Sequence, residues 1–128
     1  MKKIDVAAAV IEKDGKILVA KRAYGAHAGY YEFPGGKLEK GESAEEAIVR
    51  EISEEFEVKI SIRSFLTQIR HHYEDFDLVM DCYVCEIKEG EMVLHDHSDV
   101  RWINPFEDVE DMLEADRKVI QAYRKMIK

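Results

Sequence analysis

At 128 residues the chain is long enough for one hydrophobic core and too short to expect two, so a single domain over 1–128 is the expectation. Its 19 basic and 27 acidic residues give a formal charge of -8, which argues against a partner as anionic as long nucleic acid. Hydrophobic residues at 46% exclude a disordered chain, and no run approaches the roughly 20 apolar residues of a membrane span.

Met1-Lys2-Lys3 is basic, but the apolar run Val6–Ile11 is too short for a secretion signal, so the expected compartment is the cytoplasm. Residues 4–12 are apolar on both parities, as in a strand covered on both faces. Lys13-Asp14-Gly15-Lys16 carries a turn signal and Ile17-Leu18-Val19-Ala20 continues as its partner, which predicts a hairpin at the centre of the fold. The loop KRAYGAHAGY over 21–30 reads either as a surface connection or as a ligand-facing loop in which Arg22 reaches a phosphate or a base. After it, Pro34-Gly35-Gly36 ends a short strand and lets backbone approach a ligand closely.

The next stretch carries the strongest local signal. Ser43 followed by Glu46 is a capping box, so a helix is predicted to begin at Ala44. Ala44, Ile48 and Ile52 give it one apolar stripe, while Glu51, Glu54 and Glu55 share another face at i, i+3 and i+4. Three acids so placed repel each other, and they call for either plain solvation or a cation; oxygen donors suit a hard divalent ion such as Mg2+.

Further along, residues 59–70 and 76–87 read as strands joined near Glu74-Asp75, with His71 and His72 pointing opposite ways. Cys82 and Cys85 lie three apart on a strand, hence on opposite faces, and read as two reduced structural thiols. His95-Asp96-His97 lies in a loop before the strand Val100–Ile103, and alternate residues of so short a loop rarely close a metal shell. Asn104-Pro105 predicts a helical turn, and 112–128 a last helix whose stripe Val119, Ile120, Tyr123, Met126 and Ile127 is core. A strand-rich middle with two flanking helices makes an α/β sandwich with a mixed sheet.

The arrangement Gly36, five residues, Glu42, seven residues, then Arg50-Glu51-Ile52-Ser53-Glu54-Glu55 with Val58 resembles the signature of the Nudix hydrolases. Eight of the nine specified positions agree, the departure being Glu57 where the family has glycine. A left-handed cap at that point would strain a glutamate by about 1–2 kcal/mol, so the helix is expected to end differently.

The resemblance implies the Nudix fold, an α/β/α sandwich around a central mixed sheet. It implies Mg2+, with Mn2+ as a substitute, held by the Gly35 carbonyl, Glu51, Glu54, Glu55 and an acid from the later loop, matched here to Asp96. It gives Arg50 the role of orienting a glutamate, Glu51 that of a possible proton acceptor, and Glu42 that of a supporting acid. EFPGGK at 32–37, the loop from Arg22 to His27 and Ala115-Asp116 look most like the MutT-type nucleoside triphosphate pyrophosphohydrolases. These cleave a nucleotide of the 8-oxo-dGTP/dGTP or CTP/dCTP kind to monophosphate and pyrophosphate, water attacking the β-phosphorus. On that reading Asp116 reads the base and Phe33 packs on it, although Asp116 is equally suited to be a helix N-cap.

The implied partner is therefore a small nucleotide, with the protein a monomer or homodimer. An ADP-ribose or other nucleoside-diphosphate pyrophosphatase would carry the same box, but that group commonly has a proline well downstream and none occurs between Val58 and Asn104. A non-catalytic nucleotide-binding regulator would usually have lost box carboxylates, and these are intact. A Nudix-fold isomerase would bring extra segments that this chain lacks.

Overall fold

In the computed structural model, which describes residues 2–128, the sheet is joined through its first strand, β1 (Lys3–Lys13). One edge of β1 pairs in parallel with β6 (Asp77–Glu89), from Lys3 opposite Asp77 to Ile11 opposite Cys85. Its other edge is shared: Val6–Ala8 pair with β4 (Gly35–Lys37), and only Glu12 and Lys13 pair with β2 (Lys16–Arg22). The expected hairpin is thus present but short. Asp14 and Gly15 close it with positive φ at both central positions, 52° and 76°, the geometry that suits the twist of a two-residue hairpin.

Beyond the hairpin β1 and β2 diverge. β2 turns to pair with β3 (Tyr31–Glu32) and with β7 (His97–Ile103), while β5 (Lys59–His72) closes the opposite side on β6 as the expected second hairpin. The stretch from β3 to β4 crosses the gap, and Ala9 donates to the Pro34 carbonyl at 2.8 Å in the middle of it. A glycine-rich segment is thereby placed where the two parts of the sheet separate.

Alternation along β1 supplies both layers of the core. Ala8 and Val10 join the cluster under α2 (Glu114–Ile127), with Val119, Ile120 and Tyr123, whereas Ala7, Ala9 and Ile11 join the one under α1 (Ala44–Phe56), with Ile48, Ile52 and Phe56. Each of those large α1 side chains is fully buried, a contribution of about 1.5–3 kcal/mol apiece. This is the α/β/α sandwich with a mixed sheet that the sequence implies. Cys82 falls in one cluster and Cys85 in the other, both free and buried, and burial pushes the Cys85 thiol up to about 12. Both are inert packing residues.

The start of α1 is as expected: Ser43 Oγ accepts from the Glu46 amide at 3.1 Å and the Glu46 carboxylate accepts from the Ser43 amide at 2.9 Å. Its end is not. Glu57 adopts the left-handed cap after all, with φ 58° and ψ 31°, and its amide donates to Ser53 O at 3.0 Å. Tertiary ties hold it there, because Val93 N donates to Phe56 O at 2.9 Å and His95 Nε2 meets the Glu57 carboxylate at 2.5 Å.

Three smaller expectations also change. Asn104-Pro105 forms a turn, with Phe106 N donating to Asn104 Oδ1, but no helix follows. The last helix begins at Glu114, after Leu113, instead of at Met112. Within it Met126 and Ile127, in the last turn, are 45% and 42% exposed. Among the described residues no helix is long and apolar enough to cross a membrane.

Candidate active site

Arg50 organises the helix face that carries the acids. Its Nε and Nη2 grip the two oxygens of Glu42 at 2.7 and 2.9 Å, a bidentate fork, and Nη2 also donates to the Lys37 carbonyl at 3.1 Å. Its Nη1 donates to Glu51 Oε1 at 2.9 Å and reaches Glu54 at 3.5 Å. Hydrogen bonding from Arg50 holds the Glu42 carboxyl down at about 2, helped by the Glu39 amide. Glu42 therefore carries no proton to exchange near neutrality; its part is to fix Arg50, which in turn aims Glu51.

Glu51 is pressed against the glycine segment. A β-carbon built on Gly36 would lie 2.6 and 2.8 Å from the two Glu51 oxygens, and one on Gly35 would lie 2.8 Å from Ala8 Cα and nearer still to the Ala7 carbonyl oxygen. The two glycines are required for different reasons. Gly35 lets two strands meet, and Gly36 leaves a cradle into which the Glu51 carboxylate fits.

Glu55, one turn on, has the opposite environment to Glu42. Burial, then the adjacent Glu51 carboxyl, then Asp96 and Glu32, push its carboxyl up to about 8. Four acids, Glu51, Glu55, Asp96 and Glu32, crowd there. Asp96 is drawn to this point by the loop before β7, its carbonyl accepting from Ala23 N at 3.3 Å and its carboxylate from the Tyr24 hydroxyl at 2.6 Å. Glu54 is 60% exposed and points outward.

This donor set fits a hard divalent cation. The carboxylates of Glu51, Glu54, Glu55 and Asp96 and a carbonyl in the cradle are all oxygen donors, and a positive ion would offset the burial and the neighbouring acids that raise Glu55. Among the described residues no three His, Cys, Asp or Glu side chains close a metal shell by themselves.

The substrate-side expectations fare unevenly. Arg22 is turned to Glu32, with Nη1 to Oε1 at 2.8 Å, so it holds an acid in place where it was expected to reach a ligand directly. The Phe33 ring is 4% exposed and sits in the core under α2, so it offers no open face on which a base could pack. Its amide, however, donates to Asp116 Oδ1 at 2.8 Å. Asp116 is a buried residue of the first turn of α2 and does not cap the helix; burial pushes its carboxyl up to about 7.

Two neighbours of the site carry no signal in the sequence. Tyr73 packs against the cluster that contains Phe33, its ring 4.4 Å from that of His71, which lies 2.9 Å from Lys118 Nζ. His97, the second histidine of a loop motif, is buried, and its ring stacks on Phe56 at 5.1 Å. Position alone hints at it: His97 opens β7 beside Arg22, where β2 carries a bulge.

An α/β/α sandwich whose acidic helix is clamped by arginine against a glycine loop defines a class of metal-assisted hydrolase. The NUDIX domain model matches residues 1–123, and the chain belongs to that family of hydrolases. It is 34% identical over 127 residues to the CTP pyrophosphohydrolase of Escherichia coli, covering 96% of this chain and 93% of the relative. The 8-oxo-dGTP diphosphatase of the same organism is 36% identical over 93 residues, 71% of this chain and 72% of its own length. Among solved structures, that of the E. coli ORF135 protein superposes with a TM-score of 0.85 at 31% identity, covering 99% of this chain and 92% of that one.

Proposed function

We propose that the protein hydrolyses a nucleoside triphosphate to its monophosphate and pyrophosphate, with Mg2+ or, in its place, Mn2+ held by Glu51, Glu54, Glu55, Asp96 and the Gly35 carbonyl. The observation that carries this reading is the crowding of carboxylates at Glu55 beside the Gly36 cradle, with Arg50 clamped behind. The cation supplies charge neutralisation on the phosphates and a Lewis acid for water. The chain supplies position: Arg50 fixes Glu51, the Gly36 cradle fixes its depth, and Tyr24 fixes Asp96. No nucleophilic side chain is required.

Asp116 is the proposed base reader. The Phe33 amide occupies one of its oxygens and orients the other, and a carboxyl near 7 can act as acceptor or donor at neutral pH. As an acceptor it suits the N4 amine of cytosine or N1–H and N2–H2 of guanine. The near full-length likeness to the CTP pyrophosphohydrolase supports CTP or dCTP first and 8-oxo-dGTP or dGTP second.

The test is a hydrolysis panel with Mg2+ and with Mn2+ over CTP, dCTP, 5-methyl-dCTP, dGTP, 8-oxo-dGTP and ADP-ribose, with products resolved by chromatography. Monophosphate plus pyrophosphate from one or two triphosphates is the expected result. Turnover of ADP-ribose alone, or activity unchanged by chelator, overturns the proposal.

A further inference from the structure

His97 stands between the two halves of the site. Its side chain is 4% exposed, its ring lies nearly parallel to that of Phe56 at 18°, and Phe56 is itself fully buried, so the ring plane is fixed. Its Nε2 lies 3.0 Å from Glu32 Oε2, and the other Glu32 oxygen is held by Arg22. Its Nδ1 is buried without a hydrogen-bond partner among the described residues and lies 3.9 Å from Glu55 Oε2. A buried, unpartnered nitrogen is a standing cost that an apolar ring of the same size would avoid. Packing alone therefore does not account for a histidine here.

We infer that His97 is a positioning residue for Glu55: a ring clamped on Phe56 and anchored through Glu32 to Arg22, which presents Nδ1 to the carboxylate that the metal uses. The chain Arg22, Glu32, His97, Glu55 runs from β2 through β3 and β7 to α1, and its last step is a 3.9 Å approach without a hydrogen bond, so the ring bounds the position of the last carboxylate from the sheet side. Arg50 does the same for Glu51 from the other side. The metal-binding face is thus braced at both ends, by a cation at one and an imidazole at the other. The inference rests on the metal site proposed above.

The test compares three variants by Mn2+ affinity from electron paramagnetic resonance, by kcat and KM, and by thermal midpoint. His97→Phe keeps the stack and removes both nitrogens. His97→Asn places a polar atom near the Nδ1 position, and His97→Gln near Nε2. Outer residues that orient ligands typically alter metal affinity by about 10–100-fold, so His97→Phe is expected to weaken Mn2+ binding by about tenfold or more, with kcat falling and KM little changed. His97→Asn is expected to recover more of that affinity than His97→Gln.

Wild-type Mn2+ affinity in His97→Phe overturns the inference, as does recovery by glutamine in preference to asparagine. If His97→Phe does not fold, the nitrogen resonances of the wild-type ring decide. Addition of Mg2+ should move Nδ1 of His97, and an unmoved signal in a protein that binds the ion overturns it. Glu54→Gln separates the two layers of argument. If it loses Mn2+ and His97→Phe does not, only the role of His97 fails; if neither loses it, the proposed metal site fails.

Discussion

The cradle at Gly36 makes a sharp prediction for Gly36→Ala. The new methyl would lie 2.6 Å from the nearer Glu51 oxygen and closer still to the carboxyl carbon, so the carboxylate must retreat by roughly 1 Å to regain an ordinary contact of 3.4 Å. Arg50 Nη1 holds that carboxylate from behind at 2.9 Å, so the retreat also shifts the clamp. A misplacement of about 1 Å at reacting groups costs about 10²-fold in rate, or roughly 2.7 kcal/mol in the barrier. The fold should suffer less, about 1 kcal/mol, because the clash is with the end of a side chain and not with backbone. Gly35→Ala supplies the contrast, since its methyl meets Ala7 and Ala8 backbone atoms and is expected to prevent stable folding. Steady-state kinetics at saturating Mg2+ and thermal melts of both variants check the reasoning. A Gly36→Ala enzyme with kcat within threefold of wild type would refute the claim that Glu51 must sit in the cradle.

Other positions give independent checks. Glu54→Gln should keep the thermal midpoint, because Glu54 is exposed and its side chain meets Arg50 at a long 3.5 Å, yet lower turnover by 10²-fold or more, on the order of one removed charge stabiliser; near-normal kcat would remove Glu54 from the metal set. Glu57→Gly should relieve a left-handed cap strain of about 1 kcal/mol and raise the midpoint by about 2–5 °C, even though the solvent-exposed contact with His95 disappears with the side chain; a lowered midpoint contradicts the strain. Asp116 has a folded-state value raised from 3.8 to about 7, so the fold favours its protonated form, and its contribution to stability is fully present below about 4 and lost as pH rises through 7. Asp116→Asn should therefore gain stability relative to wild type between pH 4 and 7, by up to about 4 kcal/mol, and hold that gain above it. Denaturant midpoints across that range that differ by a constant would refute the assignment of the shift to Asp116.

The parts legible in the sequence are those governed by neighbours in the chain. Ser43 with Glu46, the Asp14-Gly15 turn and the four-residue spacing of Ala44, Ile48 and Ile52 all act within a few residues, and the hairpin and the acidic helix start where expected. The spacing of Glu42, Arg50 and Glu51 is readable because one loop and one helix hold all three. What is not legible depends on residues far along the chain. The left-handed Glu57 is stabilised by Val93 and His95, the burial of Asp116 by Phe33, and that of His97 by Phe56 and Glu32. Met126 and Ile127 fit a helical stripe, but a stripe does not say where the surface beneath it ends.

The parallel pairing of β1 with β6 also sets a timetable. During synthesis the first strand leaves the ribosome long before Asp77–Cys85, the residues that cover one of its edges, have been joined to the chain. The β5–β6 hairpin can close locally, but a pairing of such separation must wait for loop closure. Gly35 does not wait with it, because β4 pairs with Ala7–Ala8 on the other edge of β1 and all of those residues are made earlier. The cradle for Glu51 therefore draws on the early part of the chain, and the sheet is completed in a late step that docks the hairpin on the N-terminal strand.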